Sequence, residues 1–495
     1  MTSSPFTPLF DRGNCGIGFV ADQYGRASHT ILRQALTALI NLEHRGAVAA
    51  DAKTGDGAGV LTSLPKQFFA QEAERLTGKT VNPETLAVGV FFFQPSNEDA
   101  SRRLLEKACA QFGLSVLAWR PVPVQPEHLG ERALSTLPNI EQALITHNQF
   151  SNAQFEHALF FARKHFEKYA HQHYGAYVCS MSARTIVYKG LLNAPQLAEF
   201  YTDLSNPAYE VPLAVFHQRY STNTLPTWQR AQPFRVLCHN GEINTLQGNL
   251  NWMKAREPLL QFLNSPQFSN SQNLLRPVID TDGSDSAMLD NVAELLNLGG
   301  RALHHAVTML VPPAWEKLPD LPEAVRDFYE YHTCLTEPWD GPAALTFTDG
   351  VRVGAALDRN GLRPCRYTLT EDGLVVAGSE AGIVSIEDAR VQHKGKLGPG
   401  QMLVVDTERG VVMRDGQAKG ELAVHEHYGP WVRRGVRKLK AEQRPVAFAP
   451  SSLVQQQAAF GYTNEELVMV LRPMVENKAE AIGSMGDDTP AAVLS

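Results

Sequence analysis

The sequence predicts an α+β protein in which sheets stack on each other between layers of helices, followed by a shorter helical segment. Two strand blocks and the helices around them carry this expectation. Residues 176–181, 185–188, 213–218 and 234–238 form short, nearly continuous apolar runs bounded by turn residues, the pattern of strands covered on both faces. Residues 343–348, 351–357, 365–370 and 374–377 form a second block. Asp349-Gly350 and Asp372-Gly373 within it are hairpin turns, which predict antiparallel strands. Helical spacing of apolar residues fills 286–335 between the blocks. Beyond Asp406 the pattern passes through a hairpin turn at Arg409-Gly410 and a basic stretch to helices at 453–460 and 464–476. Residues 483–495 carry no capping or stop signal, and the sequence reads there as interrupted within a larger whole.

At 495 residues the chain exceeds one ordinary core, so a large domain and at least one smaller one are expected. A content of 43% hydrophobic and 20% charged residues excludes extensive disorder. The net charge of −7 leaves no basic footprint for nucleic acid, and Arg433, Arg434, Arg437, Lys438 and Lys440 read as the solvated face of a connecting segment. The cysteines at 15, 109, 179, 238, 334 and 365 show no C-x-x-C and no repeated spacing, so they form neither a zinc motif nor a disulfide framework. Residues 1–14 lack the basic start and apolar core of a signal peptide, and no apolar run approaches the roughly 20 residues that span a bilayer. A reducing cytoplasm fits best.

Taken in order, Asp11-Arg12-Gly13-Asn14-Cys15-Gly16-Ile17-Gly18-Phe19-Val20 places a cysteine at the head of an alternating strand. Ser28 can cap a helix whose apolar positions are Ile31, Leu32, Ala35, Leu36, Leu39 and Ile40, with Gly46 as its stop. His44-Arg45-Gly46 and Gly55-Asp56-Gly57-Ala58-Gly59 follow as tight turns beside Cys15; no lysine follows to complete a phosphate loop. Residues 88–93 read as a buried strand, 101–112 as a helix and 119–139 as an irregular insertion. His165, His171 and His173 match no metal spacing and read as a solvated helix end, and His304-His305 is read in the same way.

Cys15 poses the chemical question. If residues 1–14 were removed, one residue would carry a thiol and an α-amine with an unperturbed pKa of about 8, a nucleophile together with its base. Three later motifs stand where strands give way to loops. In His217-Gln218-Arg219-Tyr220-Ser221-Thr222-Asn223-Thr224, Arg219 suits a bidentate clamp on a carboxylate, although an arginine closing a strand is ordinarily a surface ion-pair partner. In His239-Asn240-Gly241-Glu242, Asn240 offers an amide and Gly241 an N–H, the two donors that a developing oxyanion needs, although Asn-Gly is also simply a good turn. In Gly283-Ser284-Asp285-Ser286, Asp285 is a carboxylate for a substrate ammonium on what is also a capping sequence; Asp282 is a weaker candidate.

In this order after a processable cysteine, the motifs resemble the class II glutamine amidotransferases. Cys15-Gly16-Ile17-Gly18-Phe19, His44-Arg45-Gly46, Thr54-Gly55-Asp56-Gly57-Ala58-Gly59, Asp358-Arg359-Asn360-Gly361-Leu362-Arg363-Pro364 and Gly483-Ser484-Met485-Gly486-Asp487-Asp488-Thr489-Pro490 are similar, in more detail, to the large subunit of glutamate synthases. Ala287 departs from simpler family members, which often carry Glu there, as the glutamate synthase branch also does. The resemblance implies a four-layer αββα sandwich of the N-terminal-nucleophile hydrolase type. It implies a propeptide at 1–14, a glutaminase domain at 15–425, a linker at 426–445 and the partial α/β start of a central domain at 446–495. It implies glutamine hydrolysis through a Cys15 thioester, with Asn240 and Gly241 as oxyanion hole and Arg219, Asp285, His217 and Thr222 as substrate-binding residues. Ammonia would pass to 2-oxoglutarate in a synthase domain beyond Ser495, where FMN and an iron–sulfur cluster would sit, served by an electron-donor small subunit. No cofactor, nucleic acid or membrane is expected on this stretch. Two other readings stay open: an amidotransferase with a different ammonia acceptor, and a non-catalytic regulatory or scaffolding remnant.

Overall fold

Alternating side chains sort the strands of this protein between three apolar clusters. The computed structural model describes residues 15–51, 53–219, 225–260, 271, 273–437, 439 and 452–478. By contacts the chain divides into two units, Met1–Gly435 and Val436–Ser495. In chain order the strands are β1 Gly16–Asp22, β2 Ala58–Ser63, β3 Leu86–Phe93, β4 Ser115–Pro121, β5 Asn139–Thr146, β6 Tyr177–Ser182, β7 Thr185–Gly190, β8 Leu213–Gln218, β9 Leu237–Gly241, β10 Ala343–Thr348, β11 Arg352–Leu357, β12 Arg366–Thr370, β13 Leu374–Gly378, β14 Val391–Lys396, β15 Met402–Asp406 and β16 Val411–Arg414. They form three sheets, ordered β14-β12-β13-β1-β8-β2-β7, β16-β15-β11-β10-β9 and β4-β5-β3-β6.

The period of two decides what each face meets. From β1, Ile17, Phe19 and Ala21 enter a cluster that also takes Leu213 and Val215 of β8, Cys238 of β9, Val353 and Ala355 of β11, and Leu403 and Val405 of β15. That cluster therefore joins the seven-stranded and five-stranded sheets. Val20, on the other face of β1, packs with Ala214 and Phe216 and with Ile31, Leu32, Ala35 and Leu39 of the helix His29–Asn41. From the five-stranded sheet, Leu345, Phe347, Met402 and Val404 turn away from the shared cluster. They meet Leu289, Val292 and Ala293 of the helix Asp285–Leu298 and Leu303 and Val307 of the helix Leu303–Leu310. Burying one such side chain contributes about 1.5–3 kcal/mol, so a strand slipped by one residue would forfeit several of these contributions at once.

The structure differs from the sequence expectations at definite places. The irregular stretch expected at 119–139 is confined to the connection between β4 and β5, which lie at one side of the four-stranded sheet, paired antiparallel from Ser115↔Thr146 to Pro121↔Glu141, with the short helix Glu131–Ser135 between them. Prolines at 121, 123 and 126 masked this reading, but they fall at a strand end and in the connection, where no ladder hydrogen bond is lost. β2 and β14 had no counterpart in the reading by pattern, and the helix Asn152–Tyr174 was anticipated only at its end. His304 and His305 are buried, not solvated, and His305 Nε2 lies 3.0 Å from His332 Nε2. The strand expected at 234–238 is displaced to β9, because its pairing with β10 continues through Ala344↔Asn240 and Ala343↔Gly241.

In the second unit the expected helices are present as Leu453–Ala459 and as a helical run from Asn464 to Asn477. Thr463 and Glu466 open the latter with reciprocal caps, Thr463 N–H to Glu466 Oε2 at 2.8 Å and Glu466 N–H to Thr463 Oγ1 at 3.2 Å. Among the described residues no helix is long and apolar enough to cross a membrane.

Candidate active site

Cys15 is buried at the head of β1, where β1 runs antiparallel to β8 with Gly16 opposite Gln218 and Ile17 opposite His217. Its N–H donates to Asn240 Oδ1 at 3.1 Å, a bond from the seven-stranded to the five-stranded sheet between residues 225 positions apart. Ser379, just past β13, fastens the same strand. Ile17 N–H donates to Ser379 Oγ at 3.1 Å, Ser379 N–H donates to Ile17 O at 2.9 Å, and Oγ lies 3.4 Å from Cys15 O. Burial pushes the Cys15 thiol up to about 12, against which the positive charges of Arg219 and Arg363 pull it down and Asp56 pushes it further up. Such a thiol is protonated near neutral pH, so attack requires a base.

Asn240 has a divided hydrogen-bond account. Its Oδ1 holds Cys15, while its Nδ2 is buried and has no acceptor among the described residues. A buried amide N–H left unmet costs about 1–3 kcal/mol, which makes it a ready donor. Gly241 adopts φ +145, and a Cβ there would lie 1.9 Å from Pro342 O, so only glycine fits. Asp358 secures the opposing strand, accepting Ala343 N–H at 3.2 Å and donating its own N–H to Ala343 O at 3.0 Å. This is the place in the fold of the Asp358-to-Pro364 motif.

Arg219 follows β8 with φ +88, a value rare for a residue with a side chain, and its N–H donates to Gly57 O at 2.9 Å. Its Nε lies 3.8 Å from Asp56 Oδ2, so the glycine-rich turn sets the position of the guanidinium. His44-Arg45-Gly46 backs the end of β8: a Cβ on Gly46 would lie 2.1 Å from Gln218 Nε2. His44 Nε2 and Arg45 Nε both reach Glu380, the former at 2.7 Å.

Asp285 opens its helix behind the cap Ser284, whose side chain accepts Ala287 N–H. Its Oδ2 accepts Ile243 N–H at 2.9 Å, its Oδ1 accepts Ser286 N–H at 2.7 Å, and His239 Nε2 lies 3.5 Å from Oδ1. Burial alone would raise its pKa, but the His239 imidazole and these N–H groups hold it at about 2. His217 is fully buried, and its Nε2–H donates to His239 O at 3.2 Å. Burial, with His239 beside it, drives His217 down to about 3, so it is neutral and ties β8 to β9. Thr222 lies outside the described residues, as do residues 1–14 and the 483–490 motif.

The structure thus brings the Cys15 backbone onto Asn240, and Asp285 onto the segment that follows Gly241. Reading by pattern missed Ser379, His239 and Asp56 as neighbours of these groups. The last two stand inside motifs already singled out, whereas Ser379 sits in no motif and only strand order reveals it.

A family model described as glutamine amidotransferases class-II matches residues 15–431, so its first matched residue is Cys15. The chain belongs to this family. A glutamine amidotransferase draws ammonia from the amide of glutamine, and it is against that task that the groups around Cys15 are to be judged. Residues 455–495 match a second model, the glutamate synthase central domain. The glutamate synthase [NADPH] large chain of Azospirillum brasilense is 42% identical over 506 residues, covering 100% of this chain and 33% of the relative. Ferredoxin-dependent glutamate synthase 2 of Synechocystis sp. is 43% identical over 494 residues, covering 98% and 31%. The glutamate synthase [NADPH] large chain of Bacillus subtilis is 40% identical over 498 residues, covering 99% and 32%. The chain spans about a third of the length of these relatives.

Proposed function

We propose that this amidotransferase hydrolyses glutamine at Cys15 and that the ammonia serves glutamate synthesis, as the names of its relatives suggest. The observation that carries the site is the Cys15 nitrogen held 3.1 Å from Asn240 Oδ1, with Asn240 Nδ2 still unmet beside it. Removal of residues 1–14 turns that nitrogen into an α-amine. The amine takes the thiol proton, directly or through water, as sulfur attacks the side-chain carbonyl carbon. Asn240 Nδ2 and Gly241 N–H receive the oxyanion. The C–N bond breaks as the amine returns the proton to the departing ammonia, and water then cleaves the thioester to glutamate.

Arg219 clamps the substrate α-carboxylate and Asp285, ionised at any working pH, receives the α-ammonium. Its low pKa supports that role, since a cation is best met by a carboxylate that stays charged. Thr222 belongs to the same substrate set by its motif, and His217 contributes by holding β8, and with it Arg219, in register. The shared cluster between two sheets, with helices on their other faces, supports the four-layer αββα arrangement of the N-terminal-nucleophile hydrolases. The domain scheme is a propeptide at 1–14, the glutaminase domain from 15 to about 425, a linker to 445 and the opening of the central domain from 446. The helix Tyr428–Gly435, whose Tyr428 packs on Phe328 and Tyr331, favours drawing the glutaminase boundary a few residues later.

In the whole protein the acceptor would be 2-oxoglutarate, with FMN, an iron–sulfur cluster and an electron-donor subunit outside this stretch, in the cytoplasm. Among the described residues no three His, Cys, Asp or Glu side chains gather as a metal site would need. The test combines intact mass with ammonia release from glutamine. Activity is expected only in molecules that begin at Cys15. Full activity in molecules that retain residues 1–14 would overturn the mechanism.

A further inference from the structure

A polar cavity of about 660 Å³, within the range of small-molecule sites, opens where the chain enters β9, at the end of that strand opposite Asn240 and Gly241. None of Cys15, Arg219, Asn240 or Asp285 lines it. Its wall carries four arginines, Arg184, Arg235, Arg301 and Arg352, against the carboxylates of Glu156, Glu294 and Asp349. What matters is which of these groups are already committed.

The carboxylates all are. Glu156 accepts Ala183 N–H at 2.7 Å and the Ser182 hydroxyl at 3.0 Å. Glu294 receives Arg163 Nη2 at 2.6 Å, and Asp349 accepts the N–H groups of Val351 at 3.0 Å and Arg352 at 2.7 Å. Two arginines are committed as well, Arg235 to Glu167 and Arg352 to Asp406, each at 2.8 Å. The guanidinium groups of Arg184 and Arg301 have neither an ion pair nor a hydrogen bond among the described residues, and Arg235 Nε is buried without an acceptor. The charged side chains of this wall that lack such a partner are both cationic, although Glu156 lies close enough to feel the charge of Arg184. Two uncommitted guanidinium groups on an open surface would simply be hydrated, but in a concave polar wall they focus a positive field and present planar forks suited to carboxylate or phosphate.

We infer that this cavity is a binding site for a small carboxylate or phosphate anion, held between Arg184 and Arg301. The residues beneath it connect it to the chemistry. Arg235 and Val236 lead into β9, which ends in Asn240 and Gly241, and Glu294 stands on the helix that begins at Asp285.

Calorimetric titration of the chain with inorganic phosphate and, separately, with succinate tests this, and the two arms distinguish the two anion chemistries. Saturable binding of at least one is expected, with a dissociation constant on the order of 1 mM and weakened about tenfold in Arg184→Gln and in Arg301→Gln. Arg184 is exposed and Arg301 half-buried, so both variants should fold, and a thermal melt checks that. Arg103→Gln, on a helix that contributes nothing to the cavity, should bind as the parent does. Saturable binding of neither anion, or binding that survives in the Arg184→Gln, Arg301→Gln double variant, overturns the inference.

Discussion

One helix grips both ends of β9, with opposite electrostatic results. Near Cys15, Asp285 accepts the N–H groups of Ile243 and Ser286 and faces His239; at the far end, Asp290 Oδ1 accepts Val236 N–H at 2.9 Å and Leu237 N–H at 3.1 Å. Asp290 is fully buried and Asp285 partly so, and both are fed by backbone donors, yet Asp285 is held at about 2 and Asp290 is lifted to about 6. For Asp290, burial prevails with Glu294 adding to it, although Arg235 pulls the other way. For Asp285 the imidazole and the amides outweigh burial. The comparison teaches that burial alone does not decide whether a carboxylate is charged. It also separates the end proposed to meet a substrate ammonium from the end that holds a strand.

The largest expected effect lies at the first end. Cys15→Ala should lower ammonia release from glutamine by about 10⁴-fold or more, because no other nucleophile stands on β1. A variant retaining a tenth of the parent rate would move the chemistry elsewhere. Next comes Asn240→Ala in correctly processed protein, expected to cut kcat by about 10²–10³, the usual cost of one oxyanion donor. A fall of less than about threefold in the processed variant would mean that Asn240 serves only to hold the Cys15 nitrogen. Arg219→Lys should raise the glutamine KM roughly tenfold, since an ammonium cannot make two parallel bonds, with a smaller change in kcat. An unchanged KM removes Arg219 from the site.

The smallest effect tests the contrast itself. A carboxyl lifted from 3.8 to about 6 contributes stability that is fully present below its unfolded value and is lost as pH rises through about 6. Asp290→Asn keeps an acceptor for Val236 and Leu237 and cannot ionise, so the parent Tm should fall relative to this variant by about 1–3 °C from pH 4 to 7. Asp285→Asn should show the reverse sign: its carboxylate contributes above about 4 and loses that contribution as pH falls through about 2. Parallel pH profiles for the two variants would erase the distinction between the two ends.

Legibility in the sequence followed locality. Cys15, Arg219, Asn240, Gly241 and Asp285 were all readable, because each stands in a motif where a strand or a helix cap meets a loop. The helix behind Ser28 was readable from its spacing, and Ile31, Leu32, Ala35, Leu36 and Leu39 are buried as expected, whereas Ile40 is exposed. β2 and β4 were not readable: β2 follows a glycine turn and β4 runs into prolines, so local preference speaks against strands that sheet pairing nonetheless stabilises. The His304-His305 pair failed for a related reason, since a polar residue looks solvated until a partner such as His332 is brought to it from another helix.

What the sequence determined by itself is the set of chemical groups and the two-residue alternation that assigns each strand face to a cluster, because both depend on neighbours a few positions away. Only the tertiary structure decided that Cys15 N–H meets Asn240, that Ser379 fastens Ile17 across 362 positions, and that Arg219 is held at φ +88 by Gly57. Those contacts follow from the order β13-β1-β8 and from the packing of that sheet on β9. Strand order is set by which long loops can close at a gain in buried area, a sum over the whole chain that no local stretch of residues contains.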